Sequence, residues 1–252
     1  MSTDSSKQVP WNPFWAIFYA LAVFYAAQIV AGVALSIYPT LFHWSHDRTI
    51  NWLSNSVAAQ FVFVLLAEAL TIGAIYRFIQ HYKQGWGSIG LHRPRLKDIA
   101  AGFIAAPFYY VIYLLVVSGA TSFIHGLNVN QEQQIGFVSV HGPLQMIMTF
   151  ISLAVLPPLA EEIMVRGFLY SSLKKLMPGL GAVLATSLIF AAAHLPEGGA
   201  SGLLWIGFID TFVLSLVLIY LREKTGSLWA SITLHAIKNS IAFFALFVFG
   251  GR

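Results

Sequence analysis

The chain has 252 residues, of which 58% are hydrophobic and only 10% are charged, and its mean hydropathy is +0.73. Soluble globular proteins carry charge on about a quarter of their residues, so this composition excludes that class and predicts an all-α polytopic membrane protein. The net charge of +4 gives no reason to expect nucleic-acid binding, and the absence of cysteine excludes disulfides, thiolate metal sites and cysteine nucleophiles.

Seven apolar runs are long enough for helices that cross a bilayer, which takes about 20 residues. Their predicted ranges, in chain order, are 14–38, 56–76, 99–119, 143–170, 180–194, 203–221 and 228–249. Residues 43–55 are interpreted as a short polar loop, and an eighth, re-entrant or surface helix stays open within 81–98 or 121–142. Pro107 predicts a kink in the third span.

Basic residues flank alternate ends of these spans. Five Lys or Arg residues lie within 77–98, and others follow at 174–175 and 222–224, whereas 121–142 and 195–201 contain none. Cytoplasmic loops of membrane proteins carry an excess of Lys and Arg. The pattern therefore predicts a multi-pass protein of the inner (plasma) membrane with a cytoplasmic N-terminus.

The stretch 161–166 places two carboxylates and an arginine inside an apolar run. A charged side chain at the bilayer centre costs about 2.5–3.5 kcal/mol on insertion scales, so such residues are expected to be functional. Glu162 and Arg166 are four residues apart and share a helix face, which predicts an ion pair. Glu161 is turned by about 100° from Glu162 and has the uncharged Val165 four residues on, so it is predicted to face a partner helix.

Pro157 and Pro158 precede these charged residues and lack backbone N–H groups, so helix carbonyls one turn earlier are predicted to be unpaired. Irregular backbone at membrane depth is tolerated only where it faces protein or a water-filled cavity. We therefore expect a hydrated pocket beside Glu161.

Two later spans carry polar groups at helical spacing. Phe190 and His194 are four residues apart, as are His235 and Asn239. Counting helix rise from the nearest span end or basic group places Glu161 at about the depth of both histidines. A glutamate can take a proton from water, a histidine can position that water or protonate a leaving amine, and amide and imidazole N–H groups can donate to an oxyanion. These are the parts of a hydrolase that attacks a peptide carbonyl with water.

Three short motifs in this order resemble those of the CPBP intramembrane protease family. The motifs are Glu161-Glu162-x-x-x-Arg166, Phe190-x-x-x-His194 and His235-x-x-x-Asn239, with similar surroundings at Gly167, 226–229 and Leu234 and a similar linker at 90–94. The family includes type II CAAX prenyl endopeptidases and bacterial bacteriocin-processing, self-immunity and abortive-infection proteins. The resemblance divides one continuous domain into a two-helix segment with a basic linker (1–98) and a CPBP-like membrane bundle (99–252).

The resemblance implies an intramembrane endopeptidase. Glu161 would be the base, assisted by His194, while His235 and Asn239 would form the oxyanion site. Supporting roles would fall to Glu162, Arg166 and Phe190. The implied substrate is a membrane-associated peptide or protein, either prenylated or bacteriocin-like, in contact with the lipid bilayer.

The need for a metal stays open at this point. The family has been called metalloproteases, and Glu161, His194 and His235 could supply a His₂Glu set for zinc. The presence of Asn239 and the absence of an HExxH motif favour a metal-free reaction.

Other interpretations also remain. Asp210, an acid within the sixth span, could orient a site histidine, bind Lys238 or serve a separate purpose. The same helices could belong to a non-catalytic immunity or scaffold protein that binds a membrane partner. In a proton-coupled transporter, Glu68, Asp210 and Glu161 would form a relay, although the chain lacks the internal repeat typical of such proteins.

Overall fold

The computed structural model describes residues 9–177 and 179–250, and within these ranges the secondary structure is helical, without strands. The α-helices are α1 (Pro13–Leu41), α2 (His46–Asn55), α3 (Val57–His81), α4 (Leu96–Phe123), α5 (Gly142–Phe150), α6 (Leu156–Glu161), α7 (Tyr170–Leu176), α8 (Leu180–Ala193), α9 (Trp205–Thr225) and α10 (Leu228–Phe243). Short 3₁₀ helices span Trp86–Ile89 and Leu195–Ser201. Stretches of π-helix span Ile151–Val155, Glu162–Leu169 and Phe244–Phe249.

Seven helices within the described ranges are long and apolar enough to cross a membrane. The fourth is the continuous helix Gly142–Leu176, which joins α5, α6 and α7 through two π-helical stretches. The predicted all-α polytopic class and the count of seven spans are therefore confirmed. The helices α1, α3 and α9 each extend three to five residues beyond their predicted C-terminal ends, and α4 continues through Pro107.

The prediction of a loop at 43–55 was wrong, because α2 occupies most of that range. Ser45 caps this helix: its side-chain oxygen accepts a hydrogen bond from the backbone N–H of Arg48 at 3.3 Å. None of the α2 residues is buried, so the helix lies on the surface. The additional helix is thus α2, while 82–95, between α3 and α4, holds only a short 3₁₀ helix and 124–141 holds no helix.

The bundle is built from two packed groups of helices. In one group, α1 lies against α3 and α7, and its N-terminal side is fixed by the indole N–H of Trp11, which donates to the hydroxyl of Ser172 at 2.9 Å. In the other group, α4 packs on α9 and α10. The approach of α4 to α10 is close at Gly102, where a Cβ atom would lie 2.8 Å from the carbonyl oxygen of Ala230. Small residues allow such backbone contacts between membrane helices.

Candidate active site

A cavity of about 350 Å³ lies between the two groups of helices. Its walls come from α1, α3, the segment 133–137, the fourth span, α8, α9 and α10. Six of the residues predicted for the site line it: Glu161, Phe190, His194, Asp210, His235 and Asn239. The predicted pocket beside Glu161 is therefore present in the structure. Glu162 and Arg166 do not line the cavity and are fully buried behind its wall.

The predicted ion pair between Glu162 and Arg166 forms, with 2.9 Å between Arg166 Nη1 and Glu162 Oε1. Both side chains are 0% exposed. The guanidinium carbon lies 4.0 Å from the centre of the Phe190 ring, a distance typical of a cation–π contact. Phe190 thus lies between the arginine and the cavity, and the positive charge is held away from the cavity by an aromatic wall.

His235 lies between the two glutamates. Its Nδ1 is 3.0 Å from Glu162 Oε1, and its Nε2 is 3.8 Å from Glu161 Oε2. Because Arg166 holds Glu162 as a carboxylate, which only accepts hydrogen bonds, the proton of a neutral His235 must be on Nδ1. The lone pair of Nε2 is then left on the side of Glu161. The contact from Glu162 to His235 was not predicted, since the residues are 73 positions apart and meet only through helix packing.

His194 has a comparable arrangement at the C-terminal end of α8. Its Nδ1 is 2.8 Å from the carbonyl oxygen of Phe190, so Nδ1 carries the proton and donates to that oxygen. The bond also provides a partner for a carbonyl in the last turn of α8, which lacks one within the helix. In its neutral form His194 therefore retains the lone pair on Nε2, on a ring that lines the cavity.

Asn239 provides the partner for an orphaned carbonyl in the fourth span. The carbonyl of Leu153 would normally accept from residue 157 in an α-helix or residue 158 in a π-helix, and both are proline. The side-chain N–H of Asn239 donates to it instead, at 2.9 Å. An amide NH₂ group has two hydrogens, so one N–H of Asn239 stays available on the cavity side.

Asp210 binds Lys238, one of the three roles left open by the sequence. Lys238 Nζ is 2.9 Å from Asp210 Oδ2, and the hydroxyl of Tyr109 donates to Asp210 Oδ1. Neither of these bonds involves a site histidine. Both Asp210 and Lys238 line the cavity, as does Glu68 from α3.

Residues 133–135 and Phe137 line the cavity, a feature that no sequence signal indicated. The backbone N–H of Gln134 donates to the carbonyl oxygen of Glu197 at 2.7 Å, and the N–H of Phe137 donates to the side chain of Gln60 at 2.8 Å. The side chain of Gln131 donates to the carbonyl oxygen of Leu203 at 3.0 Å. The segment 131–137 is therefore fixed at several points where it borders the cavity.

The donors predicted for zinc are not assembled into a binding set. Within residues 9–177 and 179–250, no group of three or more His, Asp or Glu side chains is placed so that it could hold a metal ion. Glu161, His194 and His235 share the cavity without forming the His₂Glu arrangement. The structure therefore gives no support to a metalloprotease, and the need for a metal stays a prediction.

The fold and the cavity together define an all-α polytopic membrane protein with a Glu–His–Asn cluster inside its helix bundle. Residues 142–241 match the family model described as Rce1-like: Type II CAAX prenyl endopeptidase Rce1-like. This range contains all three motifs, so the match confirms the resemblance: residues 142–241 are similar to a CAAX-type intramembrane protease family. Comparisons with curated proteins and with solved structures gave no match.

Proposed function

We propose that the protein is an intramembrane endopeptidase that hydrolyses a peptide bond with a water molecule activated by Glu161. One observation carries this proposal. Glu161 Oε2 is buried at the cavity and has no hydrogen-bond partner among the described residues, although a buried unpaired acceptor is costly to keep. A water molecule or substrate group in the cavity would supply the missing partner.

The attacking water would lie between Glu161 and the Nε2 lone pair of His194. As its oxygen forms a bond to the carbonyl carbon of the substrate, Glu161 takes one of its protons. Negative charge then develops on the carbonyl oxygen, and the free N–H of Asn239 donates to that oxygen. The bond of Asn239 to Leu153 holds the amide in place before the substrate arrives.

His235 receives the proton from Glu161 in the next step. Its Nε2 is 3.8 Å from Glu161 Oε2, so a shift of about 1 Å would bring the two atoms into hydrogen-bond range. The resulting imidazolium is stabilised by the carboxylate of Glu162 and can donate to the oxyanion, the role that the family resemblance implies. It then protonates the amine nitrogen as the C–N bond breaks, which completes the hydrolysis.

The charges of the cluster suit this sequence of steps. With both glutamates ionised, Arg166 balances only one of them, and a neutral His235 leaves one net negative charge. An uncompensated charge in a low-dielectric interior is unfavourable. The proton taken from water makes the cluster neutral, whether it resides on Glu161 or on His235.

The substrate in this proposal is a membrane-associated peptide or protein, prenylated or bacteriocin-like, and the chain lies in the inner membrane with its N-terminus in the cytoplasm. The prediction of a cytoplasmic N-terminus concerns residues 1–8, which lie outside the described residues. Both predicted segments, 1–98 and 99–252, border the cavity, since α1 contributes Phe24 and Gln28 and α3 contributes Phe63 to its wall. Segment 1–98 would therefore help to select the substrate.

The proposal is tested by comparing membrane peptides from cells that express the intact chain or the Glu161→Gln variant. We expect a cleavage product that is lost in Glu161→Gln and retained in Glu68→Gln, a matched change of another acid that lines the same cavity. A scaffold protein would yield no such product. A proton-coupled transporter would lose proton flux in proteoliposomes with either substitution, and that result without peptide products would contradict the proposal.

A further inference from the structure

A lysine lies in the cavity wall between two residues of the proposed active site. Lys238 is three positions after His235 and one before Asn239 on α10. Its ammonium group is 2.9 Å from Asp210 Oδ2, and the side chains of the pair are 21% and 19% exposed. Both residues line the same cavity as Glu161. This ion pair is therefore accessible from the cavity, whereas the pair of Glu162 and Arg166 is sealed behind the wall.

The hydrogen-bond capacity of the pair is unequal. Asp210 has a partner on each oxygen, because Tyr109, which is 0% exposed, donates its hydroxyl to Oδ1 while Lys238 donates to Oδ2. A lysine ammonium has three N–H groups, and Asp210 is its one hydrogen-bonded partner among the described residues. The hydrogen-bond donors that still lack an acceptor in this part of the cavity are therefore those of the Lys238 ammonium group. A ligand group that fills it must be an acceptor, and an anion fits best.

The hydrogen bond from Tyr109 lowers the free-energy cost of moving Lys238 away from Asp210. If Lys238 turns towards an incoming anion, Asp210 keeps the hydrogen bond from the buried Tyr109 hydroxyl and is not left without a partner. Intramembrane ionisable residues that face a cavity commonly belong to substrate or ion pathways. A lysine ammonium is also a compact point charge on a flexible stem, so it can reorient within its site.

We infer that Lys238 is a specificity residue that binds a carboxylate of the substrate beside the scissile bond. This inference rests on the proposed function, because it assigns a chemical class to the substrate of that same site. The carboxylate comes from either the C-terminus of the substrate or an Asp or Glu side chain. Lys238 shares one turn of α10 with His235 and Asn239, so the anchored carboxylate lies close to the bond that is cut.

The test measures binding without cleavage. The full chain carrying Glu161→Gln is placed in phosphatidylcholine liposomes and labelled with an acylated apolar peptide that bears a photo-crosslinking group. Three competitors have the same apolar sequence: one with a free C-terminal carboxylate, one with a C-terminal amide, and one amide with a single internal glutamate. We expect at least one carboxylate form to compete about tenfold better than the plain amide, since a hydrogen bond to a charged group is stronger than a neutral one. The form that competes better identifies the source of the carboxylate.

Two further variants separate this role from a structural one. Lys238→Met combined with Asp210→Asn removes both charges, so it leaves no unpaired charge in the bilayer, and we expect it to bind all three competitors equally. Asp210→Asn alone releases Lys238 from its partner and should preserve or increase the carboxylate preference. A purely structural ion pair predicts no carboxylate preference in any of these chains. Thermal unfolding in detergent establishes that each variant is folded.

The inference is overturned if the Glu161→Gln chain binds carboxylate and amide forms equally, or if the preference survives in the double variant. Failure of the proposed function gives a different pattern. In that case no membrane peptide is cleaved by the intact chain, while the preference for carboxylates persists and depends on Lys238. Cleavage without any preference contradicts the inference alone.

Discussion

Replacing Glu162 by Gln should separate the stability of the site from its reactivity. Glu162 Oε1 is shared by Arg166, at 2.9 Å, and by His235, at 3.0 Å, and all three side chains are almost completely buried. The substitution leaves the guanidinium without a counterion. Losing one partner of a buried ion pair costs about 3–5 kcal/mol, so we expect the free energy of unfolding to fall by that amount. Titration with a denaturing detergent measures this change.

The same substitution weakens the proposed proton transfer. A glutamine oxygen still accepts the Nδ1–H of His235 and keeps the same tautomer, but it no longer stabilises the imidazolium by charge. A hydrogen bond to a charged group is worth about 1.5–3 kcal/mol against about 1 kcal/mol for a neutral one. The difference of about 0.5–2 kcal/mol corresponds to a fall in kcat of roughly 2- to 30-fold. Because Glu162 does not line the cavity, KM should be unchanged.

A double variant decides between a positioning role and a purely structural one. Glu162→Gln with Arg166→Met removes both charges of the pair, so the unfolding free energy should recover much of its loss. The turnover number should stay low, because the imidazolium still lacks its carboxylate. If kcat returns to the value of the intact chain together with stability, Glu162 only balances Arg166, and the proton path through His235 is wrong.

Three further predictions concern helix packing, the segment 131–137 beside the cavity and the need for a metal. Gly102→Val should lower the unfolding free energy by about 1–3 kcal/mol, because a Cβ at this position would lie 2.6 Å from Thr233 Cβ. Thermal unfolding measures this loss, and Gly119→Val, at an open position on the same helix, is the control. Gln60→Ala should raise the rate of backbone hydrogen exchange across 131–137. Gln60→Glu retains the acceptor for the N–H of Phe137, so the segment should stay protected from exchange. Equal exchange in both variants would show that this bond does not hold the segment. Cleavage should persist after treatment with a strong zinc chelator, since the described side chains do not assemble a zinc site. Loss of cleavage that only added zinc restores would contradict this prediction.

The parts of the site that the sequence predicts are those set by local geometry. Glu162 and Arg166 pair because residues four apart share a helix face, and the same rule leaves Glu161 free to face the cavity. The seven spans follow from the length and apolarity of their runs. The helix α2 was missed, although Ser45 followed by Asp47 is a recognisable helix start, because its polar composition was interpreted as a loop.

The parts that could not be predicted depend on which helices pack together. Two consecutive prolines predicted an unpaired carbonyl in the fourth span, but not that Asn239, 86 positions later, would bind it. The contact of Glu162 with His235 and the position of 133–137 in the cavity wall also depend on which helices pack together. Their partners lie on separate elements, and residue spacing carries no information about the angle at which two membrane helices cross.

The partners of the histidines explain why proton uptake and oxyanion stabilisation would be coupled in this site. His194 donates its Nδ1–H to the carbonyl oxygen of Phe190, and His235 donates its Nδ1–H to Glu162. In their neutral forms both rings, which line the cavity, therefore keep the lone pair on Nε2. Before attack, the cluster therefore offers acceptors for water but only one N–H donor for the substrate carbonyl, that of Asn239. The proton that leaves the water creates the second donor when it reaches His235. Stabilisation of the oxyanion thus increases at the stage of the reaction at which negative charge appears, which favours the transition state over the bound substrate.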